Sequence, residues 1–256
     1  MSAELPVASM STASHGSTVG MLYNAGRRIE VLTTWYLRFH GYLTAPHFVL
    51  QKPDGSQYTD ADILGVRFPH SREAVVTGGP DPNLDIRDDL LDVVIAECSS
   101  KGAKLNPQWL DNPVQHLTYV LRYIGIWSEA ELPEIVDGVH RSPQRSYEWM
   151  GSPANRYRVR FICFSKSSNS QPNLRALKKI QLAEMLRYLS GRFMCFSTET
   201  QRVRSQHSQW DPFIRELYRL LMTPGREEDV VTNALAYIRT GAIPPPNSSP
   251  HRLTER

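Results

Sequence analysis

The chain has 256 residues, 41% of them apolar and 21% charged, a make-up that fits an ordinary globular protein and excludes wholesale disorder. Its net charge of +3 permits a polyanionic partner without demanding one, and three cysteines, Cys98, Cys163 and Cys195, are too few and too widely spaced for a disulfide framework or a zinc knuckle. No run approaches the roughly 18 consecutive apolar residues of a membrane span, and the first residues lack the basic and apolar regions of a secretory signal, so no membrane partner and a reducing cytoplasm are expected.

Residues 1–18 are rich in Ser, Thr and Ala and read as a tail without fixed structure, as does the Pro-rich, basic stretch 243–256. Between them the pattern predicts an α/β core over 19–195 and a helical extension over 196–242. From Leu22 to Phe39 the apolar residues Leu22, Ala25, Ile29, Leu32, Tyr36 and Phe39 advance by threes and fours, the spacing of one buried helix face, and Gly41 ends the helix. Short apolar runs at 47–50 and 62–68, joined through Pro53, Asp54 and Gly55, predict a strand hairpin, and 70–88 reads as a loop. The run 91–98 is apolar on both faces, as a central strand requires.

Asn112 before Pro113 marks the start of a helix over 113–125, with Val114, Leu117, Leu121 and Ile124 expected to point inward. A strand at 158–164, a helix at 174–188, and helix starts at Asp211-Pro212 and Gly225–Asp229 follow. The order predicts a mixed central sheet flanked by helices. Basic residues thicken after position 140, including Arg156, Arg158, Arg160, Arg192, Arg202 and Arg204, a stretch that would suit a phosphate backbone.

The informative residues are carboxylates in strands. Asp60 and Asp62 share one strand face, and in the next strand Glu97, Ser99 and Lys101 fall on one face if the strand persists. Neighbouring strands would then converge an Asp and a Glu on one point. Two close carboxylates repel, and a hard cation such as Mg²⁺ or Mn²⁺ resolves the repulsion, retains water and binds substrate phosphate. Such an ion polarises a phosphoryl oxygen and activates water.

A helix bearing Glu30, an Asp at one strand and a Glu-x-x closing the next resembles the PD-(D/E)xK nuclease signature over about residues 20–166. The resemblance implies a restriction-endonuclease-like core, αβββαβ, with Asp62 and Glu97 as metal ligands, Glu30 as the acidic residue of the first helix, and DNA as the expected substrate in repair, restriction or defence. Gln115 and Tyr119 are similar to the Gln-x-x-x-Tyr element of the RecB-like branch. The sequence departs from the family at Ser99, where a catalytic lysine is usual; Lys101 is the substitute on the same face and Lys104 a more distant one.

A nuclease-fold subunit that binds nucleic acid or a protein partner, or a second copy of itself, without cleaving is the competing expectation. Glu30 has a structural alternative as a surface pair with Arg27. The scattered histidines form no HExxH and read as structural, and the absence of a GxSxG elbow, a Walker loop or a dinucleotide loop disfavours other enzyme classes.

Overall fold

The computed structural model describes residues 23–51, 54–71, 79–141, 148–151, 156–170, 174–198 and 210–244. The first helix, α1 (Ala25–Arg38), is capped by Asn24, whose side-chain oxygen accepts from the Arg27 N–H at 2.9 Å. It buries Ile29, Leu32 and Tyr36, the stripe its periodicity predicts. Strands β1 (Leu43–Gln51) and β2 (Gln57–Arg67) form the expected antiparallel hairpin, but both are longer than their apolar runs. Polar Thr59 and Asp60 hide the start of β2, yet their backbones pair with Leu50 and Val49. Asp62 therefore lies inside the strand rather than opening it.

After a 3₁₀ turn (Pro82–Leu84) comes β3 (Leu91–Ala103), then the short α2 (Gln108–Asp111), α3 (Pro113–Ile124) and α4 (Leu132–Arg141). Of these, α2 and α4 carry no start signal that the sequence reading caught. The buried stripe of α3 is His116, Leu117, Val120 and Leu121, whereas Val114 is exposed, so the inward face is rotated from the one expected.

Strands β4 (Glu148–Met150), β5 (Tyr157–Ser170) and β6 (Lys178–Gln181) complete the sheet, followed by α5 (Leu182–Thr198), α6 (Pro212–Leu221) and α7 (Glu227–Thr240). The predicted helix over 174–188 is corrected here: residues 178–181 run parallel to β5, pairing from Ile162 to Ser165, and the helix begins only at Leu182. The edge of β5 provides hydrogen bonds that helical propensity does not register. Asp211 caps α6, its Oδ1 accepting from the Phe213 N–H at 2.8 Å, and α7 starts where Gly225–Asp229 predicts.

The sheet is mixed, in the order β1-β2-β3-β5-β4, with β6 also on β5. Its first three strands are antiparallel and β3 runs parallel to β5. Helices α1, α5, α6 and α7 share one apolar cluster on one face, and α2, α3 and α4 share another with the opposite face. Near its end β3 shifts register around Gly102, where an added Cβ would meet the Asn169 carbonyl oxygen at 2.4 Å. Only glycine fits that approach of two backbones.

The basic stretch is not the exposed surface expected of it. Arg158 and Arg160 are each 1% exposed and both bind Asp92, their terminal nitrogens donating to Oδ2 at 2.8 and 2.7 Å. Tyr42 donates to the same oxygen at 2.6 Å. Burial alone would raise the Asp92 carboxyl, but Arg160 and Arg158 hold it below the usual carboxylate range. Arg192 is also buried, and Arg202 and Arg204 lie outside the described residues. No helix among the described residues is long and apolar enough to cross a membrane.

Candidate functional site

The hydrogen-bonded pairing of β2 with β3 runs from Arg67↔Asp92 to Ile63↔Ala96 and stops. The next residues in that antiparallel register are Asp62 and Glu97. There the ladder is replaced by a side chain: Asp62 Oδ2 accepts the Cys98 backbone N–H at 2.6 Å. On the other flank of Asp62, the β1 pairing skips His47, which has φ 53° between the pairs Pro46↔Ile63 and Phe48↔Ala61. A left-handed backbone is uncommon for any residue but glycine and concentrates where surrounding structure imposes a special geometry. His47, Asp62 and Glu97 thus stand side by side across three strands.

Glu97 is buried and turned toward the face that carries α2. Its Oε1 accepts from Trp109 Nε1–H at 2.9 Å and its Oε2 from the Asn106 N–H at 3.3 Å. Asn106 in turn donates through Nδ2 to Thr59 Oγ1 at 3.0 Å, bracing β2 against the loop after β3. Because side chains alternate, Cys98 points to the opposite face, where its Sγ lies 3.5 Å from Thr33 Oγ1 of α1. Glu30 approaches from that α1 face. Its Oε2 lies 3.2 Å from His47 Nε2 and 3.3 Å from Arg27. The Asp62 charge bears on both Glu97 and Glu30.

The electrostatics tie the three carboxylates together. Burial, then the Asp62 charge, push the Glu97 carboxyl up to about 8, against the opposing hydrogen bonds from Trp109 and Asn106. Burial also raises Asp62; the Cys98 N–H opposes this, Asp60 adds to it, and His47 and Lys104 pull it back. Glu30 is raised by burial and then by Asp62, and only partly relieved by His47 and Arg27. Perturbed carboxylates grouped in this way are a functional-site signature with a stated physical cause. Among the described residues, no group of three or more His, Cys, Asp or Glu side chains is arranged as a metal cage.

β3 persists through Lys101, which is exposed, and its pairing with β5 shifts register between Ser99 and Gly102. Ser99 is buried, its Oγ accepting from the Lys101 N–H at 3.3 Å. The lysine whose charge bears on Asp62 is Lys104. Gln115 and Tyr119 do share a face of α3, where they line a separate cleft with Tyr58; Gln115 Nε2 donates to the Tyr58 hydroxyl at 2.8 Å.

Sequence reasoning missed His47, Asn106 and Trp109. His47 is set apart by a backbone dihedral that no motif displays, and the other two act through chain segments brought to Glu97 only by folding. No protein-family model, curated protein or solved structure matches the chain.

Proposed function

We propose that the chain is a divalent-metal-dependent nuclease with a restriction-endonuclease-like core, hydrolysing phosphodiester bonds in nucleic acid, with DNA the first substrate to test. The observation that carries this reading is the parting of β2 from β3 at Ile63 and Ala96, which sets Asp62 against a buried Glu97. The order α1, β1, β2, β3, then three helices and the short β4 before β5, with β1 to β3 antiparallel and β5 parallel to β3, supports this reading with α2, α4 and β4 as additions.

The donor set fits Mg²⁺ or Mn²⁺. These ions are held by one or two carboxylates and complete their shell with water and substrate phosphate, so a cage of three protein ligands is not required. Asp62, anchored by the Cys98 N–H, and Glu97, held by Trp109, would be the residues to hold the ion. When bound, the ion supplies charge neutralisation and polarisation of a phosphoryl oxygen. The chain's own residues do the rest. Cys98 N–H and Trp109 Nε1–H fix the two carboxylates, His47 and Arg27 hold Glu30 as a flanking charge, and Lys104 supplies positive charge on the Asp62 side.

The test is cleavage of supercoiled plasmid and labelled single strands with Mg²⁺ or Mn²⁺, comparing the wild type with identically purified Asp62→Ala. Metal-dependent cleavage lost in the variant is the expected result; cleavage that survives Asp62→Ala refutes the site. The exposed Lys101 and buried Ser99 favour a second reading, a nuclease-fold subunit that binds nucleic acid or a protein without cutting. It predicts no cleavage, and binding that is indifferent to metal and to Asp62.

A further inference from the structure

On the α1 side of the sheet lies a cavity of about 250 Å³ that the chemistry above does not use. Three helices, α1, α5 and α7, and two strands, β3 and β5, close around it. Its floor is made of the buried side chains of Ile29 on α1, Leu182 on α5 and Ile238 on α7, with the partly buried Leu235 beside them. All four belong to the apolar cluster of that face or pack against it. The lining is aliphatic: no aromatic ring contributes to it, and among the described residues around it there is no Asp or Glu. A concave, mostly apolar site with a few polar groups to fix orientation is the general form of a small-ligand pocket.

The polar residues of the lining are all exposed, so they stand at the mouth, and their charge has one sign. Lys166 of β5 and Arg239 of α7 carry it, beside the hydroxyls of Ser100 and Thr232, and neither cation has an ion-pair partner among the described residues. Two helices also turn their positive ends to this place, since Ala25 and Leu182, the first residues of α1 and α5, are in the lining. The end of α7 would bring a negative pole, but Arg28 occupies it: its Nε donates to the Ile238 carbonyl oxygen at 2.6 Å and a terminal nitrogen to that of Arg239 at 2.9 Å. An aliphatic interior under an unpaired cationic mouth matches a ligand of the opposite arrangement, an unbranched hydrocarbon chain ended by one anionic group.

We infer that this cavity binds a free medium-chain fatty acid as its carboxylate, the chain against Ile29, Leu182 and Ile238 and the head between Lys166 and Arg239. The inference does not depend on the nuclease reading. Isothermal titration calorimetry of the full chain with decanoate, kept below its micelle concentration, should give saturable binding at a single site. Octanoate, two methylenes shorter, should bind about fifteenfold more weakly. Decyltrimethylammonium, with the same chain length and the opposite charge, should not bind. Ala236→Phe places a ring in the cavity wall and should abolish decanoate binding. Lys166→Gln combined with Arg239→Gln changes only exposed side chains, so the protein is expected to fold, and should weaken decanoate about tenfold.

Decanoate affinity unchanged in the Lys166→Gln, Arg239→Gln pair overturns the inference, as does equal binding of the cationic amphiphile or a response confined to concentrations above the micelle threshold. Asp62→Ala should bind decanoate as the wild type does; loss of binding in that variant would move the ligand to the carboxylates and overturn the assignment to this cavity.

Discussion

Replacing Glu97 by Gln should reverse the sign of its contribution to stability across the neutral range. In the folded protein Glu97 holds its proton up to about 8, whereas in the unfolded chain it ionises near the ordinary glutamate value. Between those two values the folded state binds more protons than the unfolded state, so stability falls as pH rises. The contribution is fully present below the unfolded pKa and is lost as pH passes through about 8. Each pKa unit carries about 1.4 kcal/mol, so the loss is about 4 kcal/mol between pH 5 and pH 9. Glu97→Gln removes this titration. Its carbonyl keeps the Trp109 hydrogen bond, but its amide group meets the Asn106 N–H, a donor facing a donor, which costs about 1 kcal/mol. Urea denaturation from pH 5 to pH 9 without divalent ions should therefore give curves that cross, the wild type more stable in acid and the variant more stable by about 3 kcal/mol in base. Parallel curves would refute the claim that Glu97 is buried against an uncompensated negative charge.

Three further outcomes follow from named contacts. Asp92→Ala leaves Arg158 and Arg160 buried without their shared acceptor and should cost about 3–5 kcal/mol, read as a fall in the urea midpoint; a loss under 1 kcal/mol would contradict the network. Gly138→Ala improves helix propensity in α4, yet its Cβ would fall 1.6 Å from Trp149 Cδ1, so a net loss of about 1–3 kcal/mol is expected, and an unchanged Tm would show that the Trp149 packing is wrong. If the protein cleaves, Lys104→Ala should lower kcat by tenfold or more while Lys101→Ala stays within twofold; the opposite ranking would restore the lysine that the strand alternation first suggested.

Elements with a periodic apolar face were legible in the sequence: α1 through Ile29, Leu32 and Tyr36, β3 through its doubly apolar run, and α6 through the Asp211 cap. Those that rest on tertiary pairing were not. Residues 178–181 read as helix because their strand conformation comes from the edge of β5, and the predicted run began only at Asp62 because the polarity of Thr59 and Asp60 says nothing of a backbone already paired to β1. The carboxylates Asp62 and Glu97 were visible as strand residues. Their environment was not, since Trp109, Asn106 and His47 reach them from separate segments and a strained dihedral leaves no sequence trace.

The two ionic clusters on β3 use the same physics to opposite ends, and that contrast is the strongest argument for a ligand. At the start of the strand Asp92 is buried beside two guanidiniums and a phenol, so its desolvation is offset within the protein and its carboxyl stays ionised. Further along, Glu97 is also buried but faces Asp62, and the hydrogen bonds from Trp109 and Asn106 do not prevent its rise to about 8. A purely structural role at Glu97 would be served as well by an amide, since its ionisation only subtracts from stability as pH rises. The fold sets two guanidiniums against Asp92, whereas at Asp62 only the weaker pulls of His47 and Lys104 oppose burial, and under the proposed reading a divalent ion with a phosphodiester would complete the balance. If Mn²⁺ at millimolar concentration fails to raise the Tm of the wild type above that of Asp62→Ala, the carboxylate pair is not a binding site and the second reading, a non-cleaving nuclease-fold subunit, takes its place.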